Sequence, residues 1–176
     1  RWGSGLNPLR GQNNVQGGGD MGALPNKLAG FQDVEDDTAR SIFEAKWNCS
    51  IPPTNGWNLT PMFAAMERGD MRALYVIGEN PAQSEADGHH AIKILKSLDF
   101  LVVQDIFLTK TAELADVVFP GSASWCESEG TVTNSERRVQ MVHKALTPPG
   151  NAHDDIQILI DLAGEMGHDW SYGSSE

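Results

Sequence analysis

Cysteine is scarce in this chain of 176 residues: Cys49 and Cys126 stand far apart and outside any C-x-x-C pair, too few for a disulfide framework or a thiolate metal site. Both read as reduced thiols, buried or half-buried. Basic residues are few as well. Thirteen Lys and Arg against 24 Asp and Glu leave a formal charge of −11, which opposes attraction to nucleic-acid phosphates over most of the surface. A single anionic cofactor is compatible with that charge, since it needs only a few local donors or a helix N-terminus. No apolar run approaches the ~20 residues of a membrane helix. The N-terminus carries neither a basic nor an apolar leader region, so the expected compartment is cytoplasmic. Internal repeats and low-complexity tracts are missing too. So is an initiator Met: the chain opens Arg1-Trp2-Gly3 and reads as an internal fragment of something longer.

What is present is the composition of a folding protein. Hydrophobic residues make up 40% and charged residues 21%, with 18 Gly, and the length allows one domain with a sizeable core. Residues 1–37 are rich in Gly, Asn, Gln and Pro without sustained periodicity, which predicts an extended loop arm. Residues 38–59 read as a short helix, closed by Ile51-Pro52-Pro53, and a linker. An α/β domain is predicted over 60–168 and a tail over 169–176.

Within 60–168, Thr60-Pro61 looks like a helix start with a hydroxyl cap, and Gly69 a stop. Ala73-Leu74-Tyr75-Val76-Ile77 is a continuous apolar run ending at Gly78, hence a buried strand. Ser84 and Asp87 form a possible capping box for a helix carrying Ala91, Ile94, Leu95 and Leu98 on one face. Phe100 to Val103 and Asp116 to Phe119 repeat the strand pattern, Val132 and Val139 to Val142 suggest short irregular strands, and Asp155 to Met166 a closing helix. Strands alternating with amphipathic helices predict an α/β fold of the doubly wound, Rossmann-like kind: a mainly parallel sheet with helices on both faces, plus the N-terminal arm.

Ligands of open α/β sheets sit beyond the carboxyl ends of the strands. The residues there are Gly78-Glu79-Asn80-Pro81, Gln104-Asp105 and Pro120-Gly121-Ser122. Asp105 suits the two hydroxyls of a ribose, Asn80 can donate and accept, and a helix after Ser84 would present N–H groups to a phosphate. Ordinary turn residues are the competing explanation. Other motifs fail on context. Gly17-Gly18-Gly19-Asp20-Met21-Gly22 spells G-x-G-x-x-G, but no apolar strand precedes it. His89-His90 point about 100° apart on a helix and cannot chelate one metal from one face. His153-Asp154-Asp155 lacks the further ligands of a metal phosphohydrolase, which leaves helix capping, or a carboxylate facing a ligand's N–H groups.

Longer strings are more specific. Asn7-Pro8-Leu9-Arg10-Gly11-Gln12-Asn13-Asn14-Val15-Gln16-Gly17, Gly22-Ala23-Leu24-Pro25, Gly78-Glu79-Asn80-Pro81, Val103-Gln104-Asp105-Ile106-Phe107-Leu108-Thr109-Lys110-Thr111-Ala112 and Gly130-Thr131-Val132-Thr133-Asn134-Ser135-Glu136-Arg137-Arg138-Val139-Gln140 follow one another in order. Together they resemble, over nearly the whole chain, the large subunit of molybdenum- or tungsten-dependent formate dehydrogenases of the molybdopterin oxidoreductase family.

The resemblance implies a piece of a protein holding bis-molybdopterin guanine dinucleotide with Mo or W. In that family the matching α/β domain contacts one guanine dinucleotide. Asn80, Ser84, Gln104, Asp105 and Ser122 would line the nucleotide, Asp155 would reach the guanine or its neighbourhood, Gln12 would contact the pterin, and Arg10 would orient formate. The implied partners are the remaining domains of the same subunit and electron-transfer iron–sulfur subunits. The family's metal-ligating Cys or selenocysteine, its 4Fe-4S cluster cysteines and its C-terminal pterin domain have no counterpart here, so no metal ligand and no turnover are expected of this chain alone. The related large subunit of respiratory NADH:quinone oxidoreductase and other molybdopterin oxidoreductases are alternatives, which Arg10-Gly11-Gln12 disfavours. A stand-alone nucleotide-binding or scaffolding module is the alternative of another class.

Overall fold

The computed structural model of the protein describes residues 11–126 and 129–170. The described chain forms two compact units that interleave in sequence. One takes the residues up to Trp57 together with Gly130–Val142, the other the residues between Asn58 and Glu129 and those from His143 onward.

In the first unit, helix α1 (Val15–Asp20) is followed by a two-stranded antiparallel ribbon, β1 (Lys27–Leu28) with β2 (Gln32–Asp33), and by helix α2 (Asp37–Trp47). The extended arm predicted through residue 37 is therefore broken by a helical turn and a small ribbon. The cause is tertiary. Asn14, in the left-handed region at φ 59°, accepts a hydrogen bond on its side-chain oxygen from the Thr133 amide at 2.9 Å. Thr133 lies in the antiparallel pair β6 (Gly130–Thr133) and β7 (Val139–Val142), so a partner over a hundred residues away supports a helix that three successive glycines would not form alone. Helix α2 starts as local sequence dictates, with Asp36 accepting from the amides of Thr38 and Ala39.

The second unit is built on a parallel sheet in the order β3 (Ala73–Ile77), β4 (Phe100–Asp105), β5 (Val117–Pro120). It is flanked by α3 (Leu59–Arg68), α4 (Pro81–Ser84), α5 (Gly88–Leu95) and α6 (Asp155–Glu165). This is the α/β architecture predicted from the alternation of apolar runs and amphipathic stretches. Period two along the central strand puts Leu101 and Val103 on one face, where they join Val76, Ala82, Leu95 and Ala112 in the core. Leu101, Val103 and Leu95 are almost fully buried, each contributing about 1.5 to 3 kcal/mol of burial free energy. Val102 and Gln104 point to the opposite face, and there Gln104 meets the first turn of α6.

Two helix starts differ from expectation. Helix α3 begins at Leu59 after an extended Asn58, with no side-chain cap; Pro61 falls within the first turn, where a missing N–H leaves nothing unsatisfied. The predicted Ser84–Asp87 capping box does not form. Ser84 ends the short α4, Glu85 is extended at ψ 145°, and Asp87 itself caps α5 by accepting from the His90 amide at 3.0 Å.

Candidate functional site

Parallel register brings the three polar strand ends together. Ile77 pairs with Gln104 and Asp105 with Pro120, the Gly78 amide donates to the Gln104 carbonyl at 2.9 Å, and the Gly121 amide donates to the Asp105 carbonyl at 3.0 Å. Gly78 leaves the strand at φ 63°, a left-handed turn that glycine makes without cost. The fourth contributor arrives from α6. His153 donates its amide to the Pro120 carbonyl at 3.1 Å and bridges to Gly121 in parallel, while Asp154 caps the helix by accepting from the Gln157 amide at 2.7 Å. With capping done by Asp154, the Asp155 carboxylate is left for other work.

Asp105 and Asp155 flank Gly121. One Asp105 carboxylate oxygen accepts from the Phe107 amide at 3.1 Å, a local turn that leaves the second oxygen without a hydrogen bond among the described residues. Asp155 Oδ1 accepts from Gln104 Nε2 at 2.6 Å. A Cβ on Gly121 would lie 3.1 Å from Asp155 Oδ1 and 3.6 Å from the Asp105 carbonyl carbon, so glycine lets the Asp155 carboxylate approach this strand end closely. Next to it, Ser122 is 4% exposed, and its hydroxyl is the one buried side-chain polar atom with no partner among the described residues. An orphaned hydroxyl costs about 1 to 3 kcal/mol, a cost that a bound polar ligand would relieve. The Asp155 carboxylate beside Gly121, the Asp105 carboxylate at the end of β4 and the unpartnered Ser122 hydroxyl all belong to this carboxyl edge, a set of acceptors that suits a ligand end presenting N–H and O–H donors.

Three other predicted residues, Gln104, Asn80 and Ser84, have hydrogen-bond partners within the protein. Gln104 is fully buried: its Nε2 goes to Asp155, and its Oε1 accepts from the Tyr75 hydroxyl. Asn80 Oδ1 accepts from the Thr111 amide at 3.2 Å and the Thr111 hydroxyl at 2.8 Å, and its Nδ2 donates to Gln83 at 3.2 Å. Asn80 thus latches the loop after β3 to the segment after β4. Ser84 is exposed and donates to Glu79 Oε2 at 3.3 Å, and it ends α4, so the helix that follows starts at Gly88 with Asp87 accepting from the His90 amide. Gln12 is exposed and belongs to the first unit, and Arg10 lies outside the described residues.

Sequence reasoning passed over Tyr75 and Thr111. Tyr75 sits in an apolar run and reads as core, yet burial, with the Asp155 charge adding, pushes its hydroxyl above the ordinary tyrosine range. Thr111 carries no motif. Among the described residues there is no group of three or more His, Cys, Asp or Glu side chains placed to hold a metal, and no helix is long and apolar enough to cross a membrane.

A parallel sheet flanked by helices, with polar residues at its carboxyl edge, defines an open-sheet α/β domain. The chain belongs to the molybdopterin oxidoreductase family, which matches residues 3–165. It is 52% identical over 166 residues to the F420-dependent formate dehydrogenase subunit alpha of Methanocaldococcus jannaschii, covering 94% of this chain and 24% of that protein. With a putative formate dehydrogenase of Bacillus subtilis it shares 46% identity over 172 residues, 98% of this chain and 17% of that one. Among solved structures, acetylene hydratase from Pelobacter acetylenicus has the same fold, with a TM-score of 0.55 and 24% identity over 81% of this chain and 17% of that one. The chain therefore spans a quarter or less of the length of these relatives. Family membership implies a pterin cofactor carrying molybdenum or tungsten.

Proposed function

We propose that the second unit holds the guanosine end of a molybdopterin guanine dinucleotide, within the large subunit of a formate dehydrogenase. The observation that carries this reading is the close approach of the Asp155 carboxylate and the Asp105 backbone to Gly121 at the carboxyl edge of the sheet, next in the chain to Ser122, whose buried hydroxyl has no partner among the described residues. Carboxylates repel phosphates and accept from N–H and O–H groups, so this corner fits the nucleoside and not the pyrophosphate. Asp105 would accept from the ribose hydroxyls and Asp155 from the guanine N–H groups, each charge-assisted contact contributing about 1.5 to 3 kcal/mol. Ser122 would fill its missing hydrogen bond. Buried Gln104 would orient Asp155, half-buried Asn80 would hold the loop after β3, and exposed Ser84 would stand at the rim.

In the complete subunit the cofactor supplies, when bound, the two-electron acceptor that turns formate into CO2 and a proton. Arg10 would orient the substrate there: a guanidinium fork matches both formate oxygens, whereas lysine offers charge without the fork. Gln12 would contact the pterin. Electrons would then pass to a 4Fe-4S cluster elsewhere in the subunit and to partner iron–sulfur subunits. The names of the curated relatives support this activity, and the free state of Cys49 and Cys126 agrees with a cytoplasmic setting.

Titration of the chain with guanosine diphosphate and adenosine diphosphate by calorimetry tests the nucleotide reading. Binding of the guanine nucleotide, lost on Asp155→Ala with the fold intact by circular dichroism, is expected; equal binding of both nucleotides, or of neither, rejects it. In the complete enzyme, Arg10→Lys should lower kcat/KM by roughly 10²-fold with part of the loss in kcat. Unchanged turnover per bound metal would remove Arg10 from catalysis.

A further inference from the structure

We infer that Tyr75 is a positioning residue of this edge: with the buried Gln104 it forms a relay that fixes the Asp155 carboxylate as a hydrogen-bond acceptor and so sets the preference for a purine presenting ring N–H donors. The inference rests on the guanine-nucleotide reading above.

A glutamine amide has two ends of nearly the same shape and opposite polarity, so a buried glutamine orients its neighbours only if something orients it. Here the Tyr75 hydroxyl, on β3, donates to Gln104 Oε1 on β4, and this turns Nε2 toward Asp155 on α6, to which it donates at 2.6 Å. The opposite orientation would set an amide oxygen against a carboxylate. Gln104 has no exposed surface, so water cannot take over either bond. The Tyr75 ring is flanked by Phe119, with centroids 6.3 Å apart and planes at 58°. Its hydroxyl keeps its proton throughout the physiological range, because burial and the Asp155 charge both oppose ionisation.

The relay occupies Asp155 Oδ1 and leaves Oδ2 without a hydrogen bond among the described residues. A carboxylate fixed in this way welcomes guanine, whose N1–H and N2–H are adjacent donors. Adenine presents an acceptor at N1 and is repelled. Selectivity by this route depends on two side chains that never touch the ligand.

The test uses calorimetric titration of the full chain with guanosine diphosphate and adenosine diphosphate. Tyr75→Phe is nearly isosteric. It should weaken guanosine diphosphate binding about tenfold, the loss of roughly one hydrogen bond's worth of order, while adenosine diphosphate binding changes less, so the preference narrows. Gln104→Glu provides a readout that a purely structural role would not move. It keeps the acceptor for Tyr75 but sets a carboxylate against Asp155, so guanosine diphosphate affinity should be low near neutral pH. Lowering the pH from ~8 to ~5 should restore it, as one proton shared by the two carboxyls replaces the lost donor. Tyr75 is bonded to Gln104, His153 and Asp154 precede Asp155 in the chain, and Asp105 ends the neighbouring strand; the wild-type chain titrated over the same range corrects for their charge. Wild-type affinity and selectivity in Tyr75→Phe, or no recovery on acidification in Gln104→Glu, would overturn the relay while wild-type binding preserves the nucleotide site. Failure of the wild-type chain to bind guanosine diphosphate would overturn both.

Discussion

Thr111 shows how much one hydroxyl can do. It is fully buried, donates to Asn80 Oδ1 at 2.8 Å and accepts from the Ala82 amide at 3.0 Å, so it joins the loop after β3, the start of α4 and the segment after β4. Thr111→Val preserves shape and removes both bonds, leaving the buried Ala82 amide without its acceptor. A loss of about 1 to 3 kcal/mol is expected, read as a lower midpoint in urea unfolding with an unchanged slope. An unaltered midpoint would mean that the latch contributes no stability. At this scale the sequence identifies which residues are polar at strand ends, because an apolar run marks its own carboxyl terminus. It does not identify what each is for. Asn80 and Gln104 also have partners within the protein, Thr111 for the first and Tyr75 and Asp155 for the second, which lie 29 to 51 positions away, and no local pattern announces them.

Among elements, two glycine-bearing helices, α1 and α6, respond to opposite rules. Gly164 lies inside α6 with open space where a Cβ would stand, so Gly164→Ala should stabilise the second unit by about 0.5 to 1 kcal/mol, the ordinary helix gain. Gly17 lies inside α1, and a Cβ there would meet Asn14 Oδ1 at 2.1 Å, the same oxygen that receives the Thr133 amide. Gly17→Ala should therefore displace that side chain and speed hydrogen exchange at the Thr133 amide, despite alanine being the better helix former. Unchanged protection at Thr133 would count against α1 depending on this contact. The contrast explains which elements are readable. Helices α5 and α6 repeat apolar residues with helical spacing and carry Asp87 and Asp154 as caps, so their existence follows from local preference. Helix α1 exists because of a distant amide, and the start of α3 shifted because the Asn58 backbone, not the Thr60 hydroxyl, opens it.

For the molecule as a whole, the formal charge of −11 makes binding of an anionic nucleotide work against the long-range field. Exposed charges more than about 10 Å apart are screened at ~0.1 M salt, so added salt should hold or raise guanosine diphosphate affinity. Basic phosphate-binding surfaces lose affinity under the same change, and a steep loss here would point to binding through clustered Lys and Arg instead of the acidic corner. The same composition explains what could be read before folding. Apolar runs of strand length separated by amphipathic stretches commit the chain to a parallel α/β sheet, and the direction of those strands places Asp105, Gly121 and Ser122 on one edge, because burial of apolar surface is a local and periodic property. Folding alone decided that residues 130–142 join the first unit, that Ser84 ends a helix, and that Tyr75 and Gln104 stand behind Asp155. Those outcomes depend on hydrogen bonds between residues far apart in the chain, whose partners are chosen by geometry and leave no period in the sequence.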